Sequence, residues 1–318
     1  MTRRRRRVRR DVLTWLAFAL GIAGVLIVLW AGVTQWGGIV HGHPAYAAWL
    51  GVTLIASVLT AVRGLRPRPR GVWRAAGRIA VMLLGASWLA ATAWLRPHTA
   101  IGPALTAMTS DSAVTVRETA TEVVLTPTRD ADPTGVFFQP GALVDARAYA
   151  AVLRPLAADG HTVVIAKQPL GIAFLALGAV DEARARFPRI AGWVVAGHSL
   201  GGTVAALEAV GAEADASHPV VGLIFYASYP ADDVRASLTV PVLSISGSED
   251  GLATPAKIAA SRADLPADAA FVAIDGASHA QFGSYGSQPG DGTPTIDADA
   301  ARKQISAVSV QWVDRLDG

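Results

Sequence analysis

Ser199, Asp250 and His279 are the residues of this chain whose types and order could do chemistry. Ser199 stands in Gly197-His198-Ser199-Leu200-Gly201, and the acid and the histidine follow after 51 and then 29 residues. A serine hydroxyl attacks a carbonyl carbon effectively only when a base removes its proton. An imidazole serves as that base when a carboxylate fixes its tautomer. The order Ser, acid, His behind a Gly-x-Ser-x-Gly turn is that of a nucleophile elbow. In these roles Ser199 attacks, His279 takes and returns the proton, and Asp250 orients the ring. Glu249 is the neighbouring alternative for the acid.

Such a turn has to be held between a buried strand and a helix. Trp193-Val194-Val195-Ala196 reads as the strand and Leu200 onward as the helix, with glycines at 197 and 201 where the two must come close. Further strand patterns occur at 122–126, 135–139, 162–166, 220–226, 240–246 and 270–274, the elbow strand itself covering 192–196. Helical patterns cover 145–158, 200–212, 254–261 and 297–316. Strands alternating with helices predict a mostly parallel sheet flanked by helices. Asp250 then falls in the loop after one strand and His279 in the loop after the next. The Leu200 N–H, at a helix N-terminus, is one oxyanion donor. The second comes from Gly141 or Ala142 after strand 135–139, with Ala142 slightly preferred. Only 13 residues separate Tyr226 from Val240, which leaves little or no room for a cap domain. Phe138, Leu143, Leu170, Ile172, Phe174, Tyr229 and Phe282 are open to two readings, pocket lining or ordinary core. The loop at 283–295 reads as a gate or as plain surface.

The remaining histidines read as structural or solvated: His198 packs beside the elbow, His161 and His218 precede strands, and His41, His43 and His98 flank membrane segments. No histidine shows a metal-ligand spacing with carboxylates. The chain has no cysteine, which removes disulfides, thiol catalysis and thiolate metal sites. Neither a metal nor a cofactor is expected.

Charge divides the 318 residues in two. Residues 1–96 carry fourteen arginines against Asp11 alone, a balance of +13, and residues 97–318 a balance of −10. The sequence pI of about 9.5 describes neither half and does not point to nucleic acid. The basic half holds three uncharged or nearly uncharged apolar stretches, at about 12–34, 45–62 and 77–95, each of a length near that needed to span a bilayer. Arginines precede the first and lie between the second and third, whereas 35–45 has no Lys or Arg. Positive loops stay on the cytoplasmic side. The N-terminus is therefore expected inside and everything after Arg96 outside, in a multi-pass cell-membrane protein. A cleaved signal peptide is the rival reading of the first stretch. The domain expectation is a membrane region over 1–96, a linker over 97–118 that keeps the rest near the membrane, and an α/β domain over 119–318.

Three segments resemble the α/β-hydrolase superfamily, most closely its small bacterial members related to dienelactone hydrolase. They are Phe138-Gln139-Pro140-Gly141-Ala142 with Val144-Asp145, Gly197-His198-Ser199-Leu200-Gly201-Gly202, and Gly276-Ala277-Ser278-His279-Ala280-Gln281-Phe282-Gly283. The resemblance covers roughly the last two-thirds of the chain and implies the α/β-hydrolase fold with Ser199, Asp250 and His279 as its triad. The chain departs from dienelactone hydrolase in having Ser where those enzymes use Cys.

The reading that results is a membrane-anchored carboxylic ester hydrolase working through an acyl-enzyme. Its expected partners are a small-molecule ester, lipid-derived esters included, and membrane lipids, with no nucleic acid. Acyl transfer to another alcohol or amine is the alternative within the same chemistry. A non-catalytic membrane scaffold that keeps a retired hydrolase domain is the alternative outside it.

Overall fold

The computed structural model describes residues 12–66, 71–129, 131–212 and 219–316. His218 and the arginines at 3–7, 9, 10, 68 and 70 lie outside the described residues. The chain forms two compact units, one made of the N-terminal helices up to Arg96 and the other of the chain from Pro97 onward together with His41–His43.

The first unit contains α1 (Val12–Thr34), α2 (Trp36–Val40), α3 (Pro44–Gly64) and α4 (Val72–Trp94). Among the described residues α1, α3 and α4 are long and apolar enough to cross a membrane. The third begins five residues before the apolar stretch at 77–95, because Arg74, Ala75 and Ala76 are good helix formers and extend it. Small residues decide the packing of α1 on α3. A Cβ on Gly21 would sit 2.5 Å from the Ala61 nitrogen, and one on Gly64 would sit 2.9 Å from the Phe18 nitrogen. Backbones can approach this closely only where side chains are absent, the usual basis of helix pairing in lipid. The pair α3 and α4 is joined differently. Trp49 and Trp88 stack at 3.7 Å, Trp49 Nε1 donates to Thr92 Oγ1, and Trp88 Nε1 donates to Thr53 Oγ1, both at 2.9 Å. Each indole N–H is thus satisfied inside the helix bundle, where no water would serve it. Leu16, Leu26, Leu29, Val81, Leu83 and Leu84 stay exposed, which is compatible with a lipid-facing surface.

The second unit is one eight-stranded sheet with helices on both faces. Its elements are α5 (Pro103–Ala107), β1 (Val114–Glu118), β2 (Glu122–Pro127), β3 (Thr134–Gln139), α6 (Ala150–Asp159), β4 (Val163–Ala166), α7 (Ala179–Arg186), β5 (Gly192–His198), α8 (Leu200–Ala212), β6 (Val220–Tyr226), β7 (Val242–Gly247), α9 (Pro255–Ser261), β8 (Ala270–Ile274) and α10 (Ala298–Asp314). Strand order is β1-β2-β4-β3-β5-β6-β7-β8, with β1 and β2 antiparallel to their neighbours and the rest parallel. Alternate residues of the central strands go to opposite faces. Phe138, Val194 and Ile224 pack with Leu153 and Leu156 of α6 and Ile305 of α10. Phe137, Val195 and Leu223 pack with Ala205, Ala206 and Ala209 of α8. Each large side chain buried this way contributes on the order of 2 kcal/mol. The small alanines let α8 lie close to the sheet, which matters because α8 carries the residue after Ser199.

Two expectations need correction. Residues 97–118 are not a free linker. His98 forms an isolated parallel bridge with Val144, the Ala100 N–H donates to Asp145 Oδ2, and α5 and β1 belong to this unit. The signal was weak because β1 is a short, polar edge strand, the form in which edges avoid further pairing. Helix α7 was also missed, since Asp181, Glu182, Arg184 and Arg186 dilute its apolar face. The β6–β7 connection, 227–241, contains turns and bends but no helix or strand.

Candidate active site

Every residue singled out for chemistry lies just beyond the C-terminal end of a parallel strand: 141–142 after β3, Ser199 after β5, Asp250 after β7 and His279 after β8. Open parallel sheets place binding sites at this edge because loops from neighbouring strands converge there.

Ser199 occupies a turn that its own side chain disfavours. Its φ is +51°, the left-handed region that L-residues rarely adopt. The turn persists because its surroundings fix it. The Ser199 N–H donates to the Tyr226 carbonyl at 3.1 Å, and Ser228 Oγ donates to the Ser199 carbonyl at 2.6 Å. Side chains are excluded nearby. A Cβ on Gly197 would overlap the Gly201 backbone, one on Gly201 would overlap the Gln139 and Pro140 carbonyls, and one on Gly202 would lie 2.5 Å from Ser228 Oγ.

Asp250 and His279 form a buried pair, with His279 Nδ1 at 2.8 Å from Asp250 Oδ2. The other carboxylate oxygen, Oδ1, accepts from the Leu252 and Ala253 N–H groups at 2.8 and 2.7 Å. Asp250 is therefore held as an acceptor, which assigns a donating N–H to Nδ1 and leaves the lone pair of a neutral ring on Nε2. That Nε2 has no hydrogen-bond partner among the described residues. His279 and Ser199 line the same pocket of about 220 Å³, together with Leu200, Thr203, Ala227, Ser228, Tyr229, Leu252 and Ala253. Glu249, the alternative acid, is exposed.

The oxyanion loop needs one correction. The Gly141 N–H donates to Tyr149 Oη at 2.9 Å and is already committed. Tyr149 Oη in turn lies 2.9 Å from His198 Nδ1. The hydroxyl accepts from Gly141 and pairs with His198 Nδ1, the direction of that second bond following the His198 tautomer. Burial, and then the neighbouring His279, hold His198 well below the usual imidazole pKa. Its ring is therefore held neutral where it packs beneath the elbow. Ala142, half-buried, is the remaining donor position of the pair. Of the apolar residues weighed as pocket lining, only Tyr229 lines the Ser199 pocket; Phe138 and Phe282 are core, and Phe174 is exposed.

Three polar residues behind this loop were not anticipated. Gln139 Nε2 donates to both oxygens of Glu208 at 3.0 and 3.1 Å, and Gln168 Nε2 donates to Gln139 Oε1 and the Pro140 carbonyl at 3.0 and 2.9 Å. They anchor the chain that leads into Gly141 and Ala142. Long-range pairs of this kind leave no local pattern in a sequence. The expectation that no histidine clusters with carboxylates needs correction, because it was read from spacing and one partner lies far along the chain. His161, Asp159 and Asp314 bring ligand-type atoms within 4.8 Å of one another, His161 standing before β4 at the edge opposite Ser199.

A family model described as the alpha/beta hydrolase family matches residues 135–303, over half of the chain, and the chain belongs to that family. No curated protein matches the chain closely enough to extend this.

The raised Glu208 carboxyl gives a pH signature. Burial, opposed by the Gln139 amide, lifts it from 4.5 to about 7. The folded state then binds a proton that the unfolded state releases, so stability falls as pH rises from about 4.5 to about 7 and levels off above. The contribution is up to about 3 kcal/mol. Glu208→Gln should flatten this part of the curve, read as the thermal midpoint at pH 5 against pH 7.5. A variant with the wild-type slope would contradict the assignment.

Proposed function

We propose that this protein is a membrane-anchored serine hydrolase that cleaves carboxylic esters through an acyl-enzyme on Ser199. The observation that carries the reading is the Asp250–His279 pair at 2.8 Å beside a pocket shared with Ser199. Ser199 Oγ attacks the ester carbonyl while His279 Nε2 takes its proton. The oxyanion is held by the N–H groups of Leu200 and Ala142. His279 returns the proton to the departing alkoxide, leaving acyl-Ser199. Water, deprotonated by the same Nε2, then adds to the acyl carbon, and as the acyl–Oγ bond breaks the proton returns to Ser199 Oγ and the acid is released. Asp250 balances the transient imidazolium charge.

A pocket of about 220 Å³ favours a short acyl group over a long chain. The helix-free β6–β7 connection supports a place among the capless members of the family. Three membrane-length helices and the arginine distribution support a multi-pass anchor with the N-terminus in the cytoplasm and the hydrolase unit outside.

Ser199→Ala should lower kcat for a short-chain aryl ester by about 10⁴-fold or more, and should abolish labelling by a fluorophosphonate. An unchanged rate in the purified, folded variant would refute the nucleophile. Wild-type rates should fall steeply between butyrate and palmitate esters.

Sidedness can be read directly because the chain has no cysteine. A lone cysteine at exposed Ser287 (Ser287→Cys) should react with a membrane-impermeant maleimide on spheroplasts. One at exposed Arg66 (Arg66→Cys) should react only after permeabilisation. The reverse pattern would invert the proposed topology.

A further inference from the structure

The loop behind the catalytic histidine is fastened, and the fastening is one carboxylate. Asp291 Oδ1 accepts from the Gly251 N–H at 3.2 Å, from the His279 N–H at 3.0 Å and from its neighbour Gly292 at 2.7 Å, and Oδ2 accepts from the Ala280 N–H at 2.9 Å. Gly251 directly follows Asp250. One side chain therefore holds the backbones that carry the acid and the base of the triad. The two loops also meet directly, through Glu249 N–H on the Ala277 carbonyl at 2.9 Å and Gly276 N–H on Ser248 Oγ at 2.8 Å, but it is Asp291 that binds the His279 N–H itself and the residue next to Asp250.

The surrounding backbone is shaped to admit it. A Cβ on Gly251 would lie 2.5 Å from the Gly292 nitrogen, and one on Gly292 would overlap the Glu249 carbonyl. The 290–292 turn and the 249–251 turn therefore meet backbone to backbone, which only glycines allow at both positions. The His279 turn, a short 3-10 helix over His279–Phe282, begins at Asp291, where its first N–H groups would otherwise lack partners. Ser278 and Gln281 complete its cap, and Gln281 Nε2 donates to the Ile296 carbonyl at 2.9 Å. Burial raises the Asp291 carboxyl, but the N–H groups of Ala280, Gly251 and His279 outweigh it and hold it below the usual aspartate range, so it is ionised at neutral pH.

We infer that Asp291 is a positioning residue of the hydrolase, setting the separation and orientation of the Asp250–His279 pair by clamping both loops. It is not among the residues lining the pocket shared by Ser199 and His279. Its effect runs through the pair, and the inference rests on the serine hydrolase reading above. Catalytic geometry is unforgiving on this scale: a displacement of about 1 Å costs on the order of 10²-fold in rate.

The test is a double-mutant cycle on the full-length protein in detergent, with a short-chain aryl ester. Asp291→Ala should lower kcat by about 10²-fold with KM within about threefold. It should slow fluorophosphonate labelling of Ser199 in parallel. In an Asp250→Asn background, where the pair is already broken, the same substitution should cost less than about threefold, because residues acting as a unit are not additive. A purely structural role would give the same loss in both backgrounds. Asp291→Asn, which keeps one acceptor oxygen, takes the place of Asp291→Ala if the latter does not fold. A wild-type kcat in the variant, or a fully additive loss, would overturn the inference. A wild-type enzyme that never labels at Ser199 would instead remove the hydrolase reading on which it rests.

Discussion

The site depends on a backbone conformation that its central residue does not favour. Ser199 sits at φ +51° between β5 and α8, and of the order of 1 kcal/mol or more is stored there. What the strain gives is placement: the hydroxyl stands beyond the sheet edge and the next N–H lies at the head of a helix. The turn can close only if strand and helix nearly touch, so Gly197, Gly201 and Gly202 are dictated by it, as are the small alanines of α8 against the sheet. Tyr226 and Ser228, from the end of β6, hydrogen-bond the turn from the other side.

The electrostatics follow the same logic of backbone groups fixing side chains. Asp250 is held by two N–H groups on one oxygen, which frees the other for His279. Asp291 is held by N–H groups from both loops. The oxyanion loop is held by Tyr149 and His198 from one side and by the Gln139–Glu208 pair from another. Each of these loops is thus fixed by a polar side chain from outside it, half-buried in the case of Asp291 and buried in the case of Tyr149 and Gln139. Such networks are costly if incomplete and rigid when satisfied.

Much of this was legible in the sequence, and the reasons for the rest are physical. Continuous apolar runs marked β6 and β8 to the residue: Val220–Tyr226 is buried along nearly its whole length, whereas Ala270–Ile274 is a largely half-buried or exposed edge strand read from its apolar composition alone. The elbow was legible because sterics demand small residues at fixed offsets from Ser199. The three helices long and apolar enough to cross a membrane were legible because each is a long apolar run with few charges. Strand β1 was not, since an edge strand of Val114-Thr115-Val116-Arg117-Glu118 resembles a linker in composition. The involvement of Gly141 with Tyr149 was hidden for another reason. It depends on where a side chain eight residues away points, and spacing alone carries no such information. Asp291 carried only a faint sign, a Gly-Asp-Gly turn within a loop rich in Ser, Gly and Pro.

The central claim is that Ser199 Oγ carries the acyl group between two half-reactions. The measurement that tests it most directly is rapid-quench mass spectrometry of the wild-type enzyme mixed with a short-chain aryl ester, followed by acid digestion and sequencing of the peptide spanning the elbow. The account predicts a transient adduct of the acyl mass on Ser199, formed with the burst of aryl alcohol and lost as the carboxylic acid appears. An adduct on another residue, or steady turnover with Ser199 never acylated, would contradict it.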